Sequence, residues 1–298
     1  MFIIRILLFN MLLFITLPSN AACNDYQSQV NKAIRAYDLA KLERLLPPIL
    51  RDCRSSYIEA VKRSMSDIAA ARADTLLQQG KISAAENWLK RAKTMTWGTQ
   101  VLYGDISIRH QKWQNASIFY NQALDLINDR QATPKAPSKA QIETIFQQAT
   151  EAQILAGSVN TIGRSGQASG MMRGKIRGFI PRKRAVPVPF YTGKWGLDEN
   201  GKRVTRQLAK YIKNQGFNRV TLTGHTDENG VSWWNNIISS KRANAVKSYF
   251  KTLGIIAKVK IKAVGKGEDE PLDLVNRAYY DQKHIDMLNR RVELSEMK

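Results

Sequence analysis

The sequence predicts a multi-domain chain: N-terminal all-α helical hairpin repeats, followed by a C-terminal α/β sandwich of the βαβαβ type. Three observations carry this reading. Apolar residues recur at the three-to-four spacing of a helix from 24 to 157, and two segments inside that stretch repeat at a period of 31. From residue 185 onward, strand-like alternation appears between helical segments. With 298 residues, 43% of them hydrophobic, the chain has enough apolar matter for two cores.

Taken in order, the first 21 residues read as a signal peptide. MFIIRILLFNMLLFITLPSNAAC carries an early Arg5, an apolar run over 6–17, a breaker at Pro18 and the small residues Ala21 and Ala22. The run is shorter than the ~20 apolar residues a helix needs to cross a bilayer, so cleavage is expected and no transmembrane span remains after it. Cys23 then stands almost at the mature terminus. An exported chain with one other cysteine, Cys53, favours a Cys23–Cys53 disulfide. Acylation of Cys23 is the alternative, but Asn20 stands three positions before it, where a lipoprotein signal has an aliphatic residue.

The next domain, 22–157, reads as helices throughout. QVNKAIRAYDLAKLERLLPPIL and SYIEAVKRSMSDIAAARADTLLQQ both show the helical period, and Pro47, Pro48, Pro134 and Pro137 are expected at helix ends. GKISAAENWLKRAKTM (80–95) superposes on QKWQNASIFYNQALDL (111–126), with Ala85 over Ala116, Leu89 over Tyr120 and Ala92 over Ala123. Small residues alternating with a bulky one let the two helices of a hairpin approach closely, and stacked hairpins bury a face that one hairpin leaves open. On Gly104, Ala116, Tyr120 and Ala123 this stretch resembles the tetratricopeptide repeat, with Ala73 where glycine is usual and a period short of the common 34. The resemblance implies a concave surface for a protein partner.

Over 158–184 the composition turns to Gly, Ser and basic residues, among them Arg173, Lys175, Arg177, Arg182, Lys183 and Arg184. The pattern predicts a linker, solvated and self-repelling, or a loosely docked segment. The last domain, 185–298, opens with the short strand AVPVPFY. The helix DENGKRVTRQLAKYIKNQG follows, with Val204, Leu208 and Ile212 on one face. NRVTLTGHT is a second strand with Val220 and Leu222 inward, 237–253 a second helix, KVKIKAVGKG a third strand and NRRVELSE a fourth.

Charge points to the kind of partner. The formal balance is +21 with a pI near 10.0, and residues 171–298 hold 26 Lys and Arg against 12 Asp and Glu, leaving +14 there. Such a balance predicts an anionic partner, and export removes nucleic acid from the candidates.

GHTDENG (224–230), then Asn235, Ile238-Ser239, Arg242-Ala243 and Val246, then Gly265, Gly267, Pro271 and Asn289-Arg290-Arg291-Val292-Glu293, resemble the OmpA-like peptidoglycan-binding domain, because six separately spaced elements agree. The resemblance covers about the last 115 residues. It implies that Asp227 and Arg242 grip the zwitterionic end of meso-diaminopimelate in the wall's stem peptide. It also implies that Asn235 bonds the ligand's backbone or caps the following helix, and that Arg291 adds a second cation. Thr226, Gly230, Trp233 and Trp234 are auxiliary positions, the two tryptophans standing where the family is usually polar. The chemistry is self-consistent: a group ending in both an ammonium and a carboxylate needs a carboxylate and a guanidinium side by side.

His225 is expected to be structural. The three histidines, the two cysteines and the carboxylates show no metal-ligand spacing, no cofactor motif is present, and no nucleophile elbow, phosphate loop or paired catalytic carboxylates stand out. The expected function is therefore non-catalytic: an exported envelope protein, in the periplasm or at the outer-membrane periphery, that binds peptidoglycan and offers its helical repeats to an envelope protein. The alternatives are a scaffold subunit of an envelope or secretion assembly, and a binder of anionic envelope lipid.

Overall fold

The computed structural model describes residues 21–158, 168–191, 194–254 and 258–296; the predicted signal peptide, apart from Ala21, lies outside them. Two compact units are present, residues 1–106 with 129–135, and residues 107–128 with 136–298. The composition break at 157/158 is thus not where the units divide.

The first unit contains α1 (Ala21–Arg35), α2 (Leu39–Asp52), α3 (Ser55–Gln78), α4 (Ile82–Leu89) and the greater part of α5 (Trp97–Arg109). Antiparallel neighbours α1/α2 and α3/α4 form the hairpins the apolar spacing predicts, with Val30, Ile34, Leu42, Ile49, Tyr57, Val61 and Met65 in one core cluster and Ala70, Ala73, Leu77, Ala85 and Leu89 in another. Cys23 and Cys53 are joined in a disulfide with their Cα atoms 5.2 Å apart, so α1 is stapled to the end of α2. Asp38 caps α2 by accepting from the Lys41 amide at 2.9 Å.

Pro47 and Pro48 lie inside α2, not at its end. Each proline removes a helical N–H and costs on the order of 3 kcal/mol in a helix interior. The helix persists because its face is held on both sides of the prolines, by buried Leu42 and Ile49 and by the covalent link at Cys53. Ala92 departs from the repeat as well: α4 ends at Leu89, so Ala92 has no helical counterpart to Ala123.

In the second unit, α6 (Trp113–Asn128) and α7 (Lys139–Ala156) form a hairpin with Ala116, Tyr120, Ala123, Ile142, Ile145 and Ala149 buried. Ser138 opens α7 with a capping box to Gln141, and Gly157 closes it in the left-handed conformation, φ 62°.

The basic segment is docked, from Ala168 on, and does not float. Met171, Met172 and Ile176 are fully buried, the Gly170 and Met171 amides donate to Asp125 and Asn121 of α6 at 2.8 Å, and Gly170 has φ +53° with Asn121 where a Cβ would stand. Two of the six basic residues are ion-paired within the unit and a third is hydrogen-bonded. Arg173 pairs with Asp125 at 2.7 Å, Lys183 lies 3.3 Å from both Glu270 and Glu293, and buried Arg184 donates to the Arg173 carbonyl. These partners offset part of the repulsion that would keep a basic linker extended.

The same unit holds β1 (Arg184–Val186), α8 (Glu199–Asn214), β2 (Arg219–Gly224), α9 (Ser232–Leu253), β3 (Lys260–Gly265), α10 (Gln282–Asn289) and β4 (Val292–Glu296). The sheet order is β1-β4-β2-β3, with β2 and β3 parallel across the α9 crossover and β4 antiparallel to both β1 and β2. The short helix α10 was not legible from periodicity, being eight residues long. α9 sits unusually close to the sheet: a Cβ on Gly224 would fall 2.3 Å from the Ser239 carbonyl oxygen, and one on Gly265 would fall 2.4 Å from the Ser240 nitrogen. Those two glycines set how near α9 carries its side chains to the loop that follows β2.

Candidate functional site

The site lies where β2 hands over to α9. The chain leaves the sheet at Gly224, and His225 and Thr226 fix its course by donating their amides to the carbonyls of Arg291 at 3.0 Å and Gly267 at 2.8 Å. Asp227 follows, buried at 7% exposure, with one carboxylate oxygen accepting from the Asn229 amide at 3.1 Å. This Asx turn leads to Gly230, whose φ of +101° suits glycine, and into α9.

Asn235 is buried, and its amide faces the carbonyls of Asp227 (3.3 Å) and Asn229 (3.2 Å) and the Glu268 carboxylate. It pins the 227–230 loop from inside. The N-cap of α9 is Val231, which has no capping side chain, so the helix-cap role expected of Asn235 is not the one it plays. Asn229 extends the network by donating to Asp286 of α10 at 2.9 Å.

The arginines are arranged differently from the expectation. Asp227 is ion-paired with Arg290, which caps the end of α10. Arg291 turns away from the loop. Buried at 4% exposure, it donates through Nε and Nη2 to one oxygen of Glu293 at 2.9 and 2.7 Å and to the Glu270 carbonyl at 3.1 Å. Successive residues entering a strand point to opposite sides, so one member of the Arg-Arg pair reaches the loop and the next enters the sheet. The second cation of the site is therefore Arg290.

Arg242 stands two turns beyond Asn235 on α9, with its guanidinium 5.3 Å from the centroid of the Phe190 ring and its Nε buried without a hydrogen-bond partner. Burial lowers its pKa, the positive charge of Arg290 lowers it further, and Asp227 opposes both. The site thus gathers one carboxylate and two guanidiniums. One guanidinium is spent on Asp227 and the other keeps donors to offer.

Beneath it, Glu293 and His225 form a buried support. Burial pushes the Glu293 carboxyl up, but contact with His225, whose Nε2 is 3.6 Å away, and the charge of Arg291 outweigh it and hold the group at about 2. His225 is 1% exposed and has the structural role expected of it. Thr226 is buried too, its hydroxyl without a hydrogen-bond partner. Trp233 and Trp234 stand in the first turn of α9, 62% and 43% exposed, with ring centroids 5.7 Å apart in an edge-to-face pair. Among the described residues no cluster of His, Cys, Asp and Glu could hold a metal ion, and no helix is long and apolar enough to cross a membrane.

Residues 189–279, which include the loop and α9, match the OmpA family. The chain therefore carries an OmpA family domain in its C-terminal part. It is 32% identical over 108 residues to outer membrane porin F of Pseudomonas aeruginosa, covering 36% of this chain and 29% of that protein. A peptidoglycan-associated lipoprotein of Pasteurella multocida is 26% identical over 127 residues, 41% of this chain and 84% of the lipoprotein. Among solved structures, the peptidoglycan-associated lipoprotein from Burkholderia pseudomallei matches 39% of this chain and 91% of its own at 27% identity and a TM-score of 0.31. The OmpA family match begins at residue 189 and so does not include the N-terminal hairpins.

Proposed function

We propose that this is a non-catalytic protein of a Gram-negative-type envelope that holds peptidoglycan through the diaminopimelate end of the stem peptide and offers its helical hairpins, as tetratricopeptide-like repeats do, to a protein partner. The single observation that carries the reading is the trio of buried Asp227, Arg242 with an unpartnered Nε, and Arg290 at the mouth of the same loop. A ligand that ends in an ammonium and a carboxylate fits the trio. Its ammonium takes the place of Arg290 on Asp227, and its carboxylate receives Arg242 and the released Arg290 as charge-assisted donors. Every charged group then has an opposite partner, the two guanidiniums sharing the ligand's carboxylate, as a partly buried site requires.

Relatives named as peptidoglycan-associated lipoproteins support the ligand class. The Cys23–Cys53 disulfide supports an oxidising compartment. The test is cosedimentation with diaminopimelate-containing sacculi at moderate salt. The wild-type chain is expected to pellet, and Asp227→Ala and Arg242→Ala to stay in solution. Identical pelleting of all three would mean that diffuse positive charge, not the trio, makes the contact.

A further inference from the structure

α9 has two working faces at its N-terminal end. Asn235, Ser239 and Arg242 look toward the loop and sheet, whereas Trp233, Trp234 and Ile237 look out, and Val231 just before the helix is 58% exposed. The outward row continues to Lys241, whose ammonium lies 3.8 Å from the centroid of Trp195, itself 41% exposed. From Trp234 to Lys241 is seven residues, ~10 Å along the helix. An aromatic strip of that length borders the Asp227 loop directly.

Large rings left open to water are costly for a soluble surface and mark contact sites. Here the rings form a platform and not a groove: the interplanar angle of 69° between Trp233 and Trp234 turns two ring faces in different directions, and the Lys241 ammonium holds Trp195 in place by a cation–π contact. Flat exposed faces bordered by polar donors suit a ligand with both an apolar face and hydroxyls, which is the character of a pyranose ring; an acyl chain or an apolar helix needs a groove.

We propose that Trp233 and Trp234 stack on the amino-sugar rings of the glycan strand while the stem peptide of the same polymer occupies the Asp227 and Arg242 site. The inference rests on the wall-binding reading and deepens it. Continuity is the argument for the occupant: a stem peptide is covalently attached to its glycan, so a peptide held beside the first turn of α9 brings sugars to the two tryptophans without a second encounter.

The test titrates two probes into the full mature chain by calorimetry: a diaminopimelate stem peptide alone, and the same peptide attached to its N-acetylglucosamine–N-acetylmuramic acid disaccharide. The wild type is expected to bind the disaccharide form roughly five- to tenfold more tightly, the scale of one or two aromatic contacts. A Trp233→Ala/Trp234→Ala variant is expected to lose that preference and bind the two probes alike. Equal wild-type affinity for the two probes, or a preference that survives the double substitution, would overturn the glycan platform while leaving peptide binding intact. Tryptophan-dependent pelleting with anionic phospholipid vesicles, without a disaccharide preference, would overturn it in favour of a lipid surface. Failure of both probes to bind would instead bring down the wall-binding reading itself.

Discussion

Glu151 is the buried acid whose removal should change the pH response of the fold. It sits in α7 at 2% exposure and joins the helical hairpin to the segment before α10, accepting from the Val275 amide at 2.8 Å and from the Tyr280 hydroxyl at 2.7 Å. Burial pushes its carboxyl up from the ordinary 4.5 to about 7, with Asp273 adding to the push and the two hydrogen bonds offsetting only part of it. The unfolded chain ionises near 4.5 and the folded one near 7. The neutral acid therefore contributes stability that is fully present below about pH 4.5 and is lost as pH rises to about 7. A displacement of that size corresponds to about 3 kcal/mol.

Glu151→Gln keeps both contacts, since the amide oxygen can accept from Val275 and the amide nitrogen can donate to the Tyr280 oxygen, and it removes the ionisation. Urea unfolding of the second unit, stepped from about pH 4 to about pH 8, should show the wild type losing stability across that window while the variant does not. The two should match at the acid end and differ by up to about 3 kcal/mol at the alkaline end. Hydrogen exchange at the Val275 amide reads the same opening locally. Parallel profiles for the two proteins would refute the reasoning, because they would mean that Glu151 ionises in the folded chain as readily as in the unfolded one.

Two further outcomes are expected. Cys53→Ser opens a loop closed across 30 positions and should lower the stability of the first unit by about 3–4 kcal/mol in thermal unfolding, an effect that reductant reproduces in the wild type and not in the variant. Arg291→Ala removes the two-donor partner of buried Glu293 and leaves it only Lys183 and His225, which should cost on the order of 1–3 kcal/mol near neutral pH. Because the folded Glu293 carboxyl is depressed to about 2, its contribution is present above about 4.5 and lost as pH falls toward 2, so acid unfolding should flatten over that window in the variant.

Much of the fold follows from periodicity. The apolar spacing that places Leu42, Ile49 and Val61 on helical faces and Val220 and Leu222 on a strand is the spacing by which those residues are buried. What periodicity does not register is chemistry between segments distant in sequence. The basic segment reads as a linker because its cations look unpartnered, and its partners Asp125, Glu270 and Glu293 lie 48, 87 and 110 positions away along the chain from Arg173 and Lys183. Prolines 47 and 48 read as a helix end because local propensity says so, and tertiary packing with a disulfide overrules it.

The site shows the same division. Asp227, Asn235 and Arg242 stand out in the sequence through the family resemblance; in the structure the Asn235 amide bonds the Asp227 carbonyl, and Arg242 feels the Asp227 charge. Which of the adjacent arginines, Arg290 or Arg291, reaches the Asp227 loop depends on where α10 ends and β4 begins, and neighbouring identical residues carry no signal of it. The exposure of Trp233 and Trp234 likewise follows from which face of α9 meets the sheet, fixed by Gly224 and Gly265.

The most direct test of the central claim compares two stem tripeptides, identical except that the third residue is meso-diaminopimelate in one and lysine in the other. Lysine offers the ammonium to Asp227 and nothing to Arg242 or Arg290, leaving donors in a partly buried site unsatisfied. The account predicts that the diaminopimelate peptide binds at least about tenfold more tightly by calorimetry and that Arg242→Ala erases the difference. Equal binding of the two peptides by the wild-type chain would contradict it.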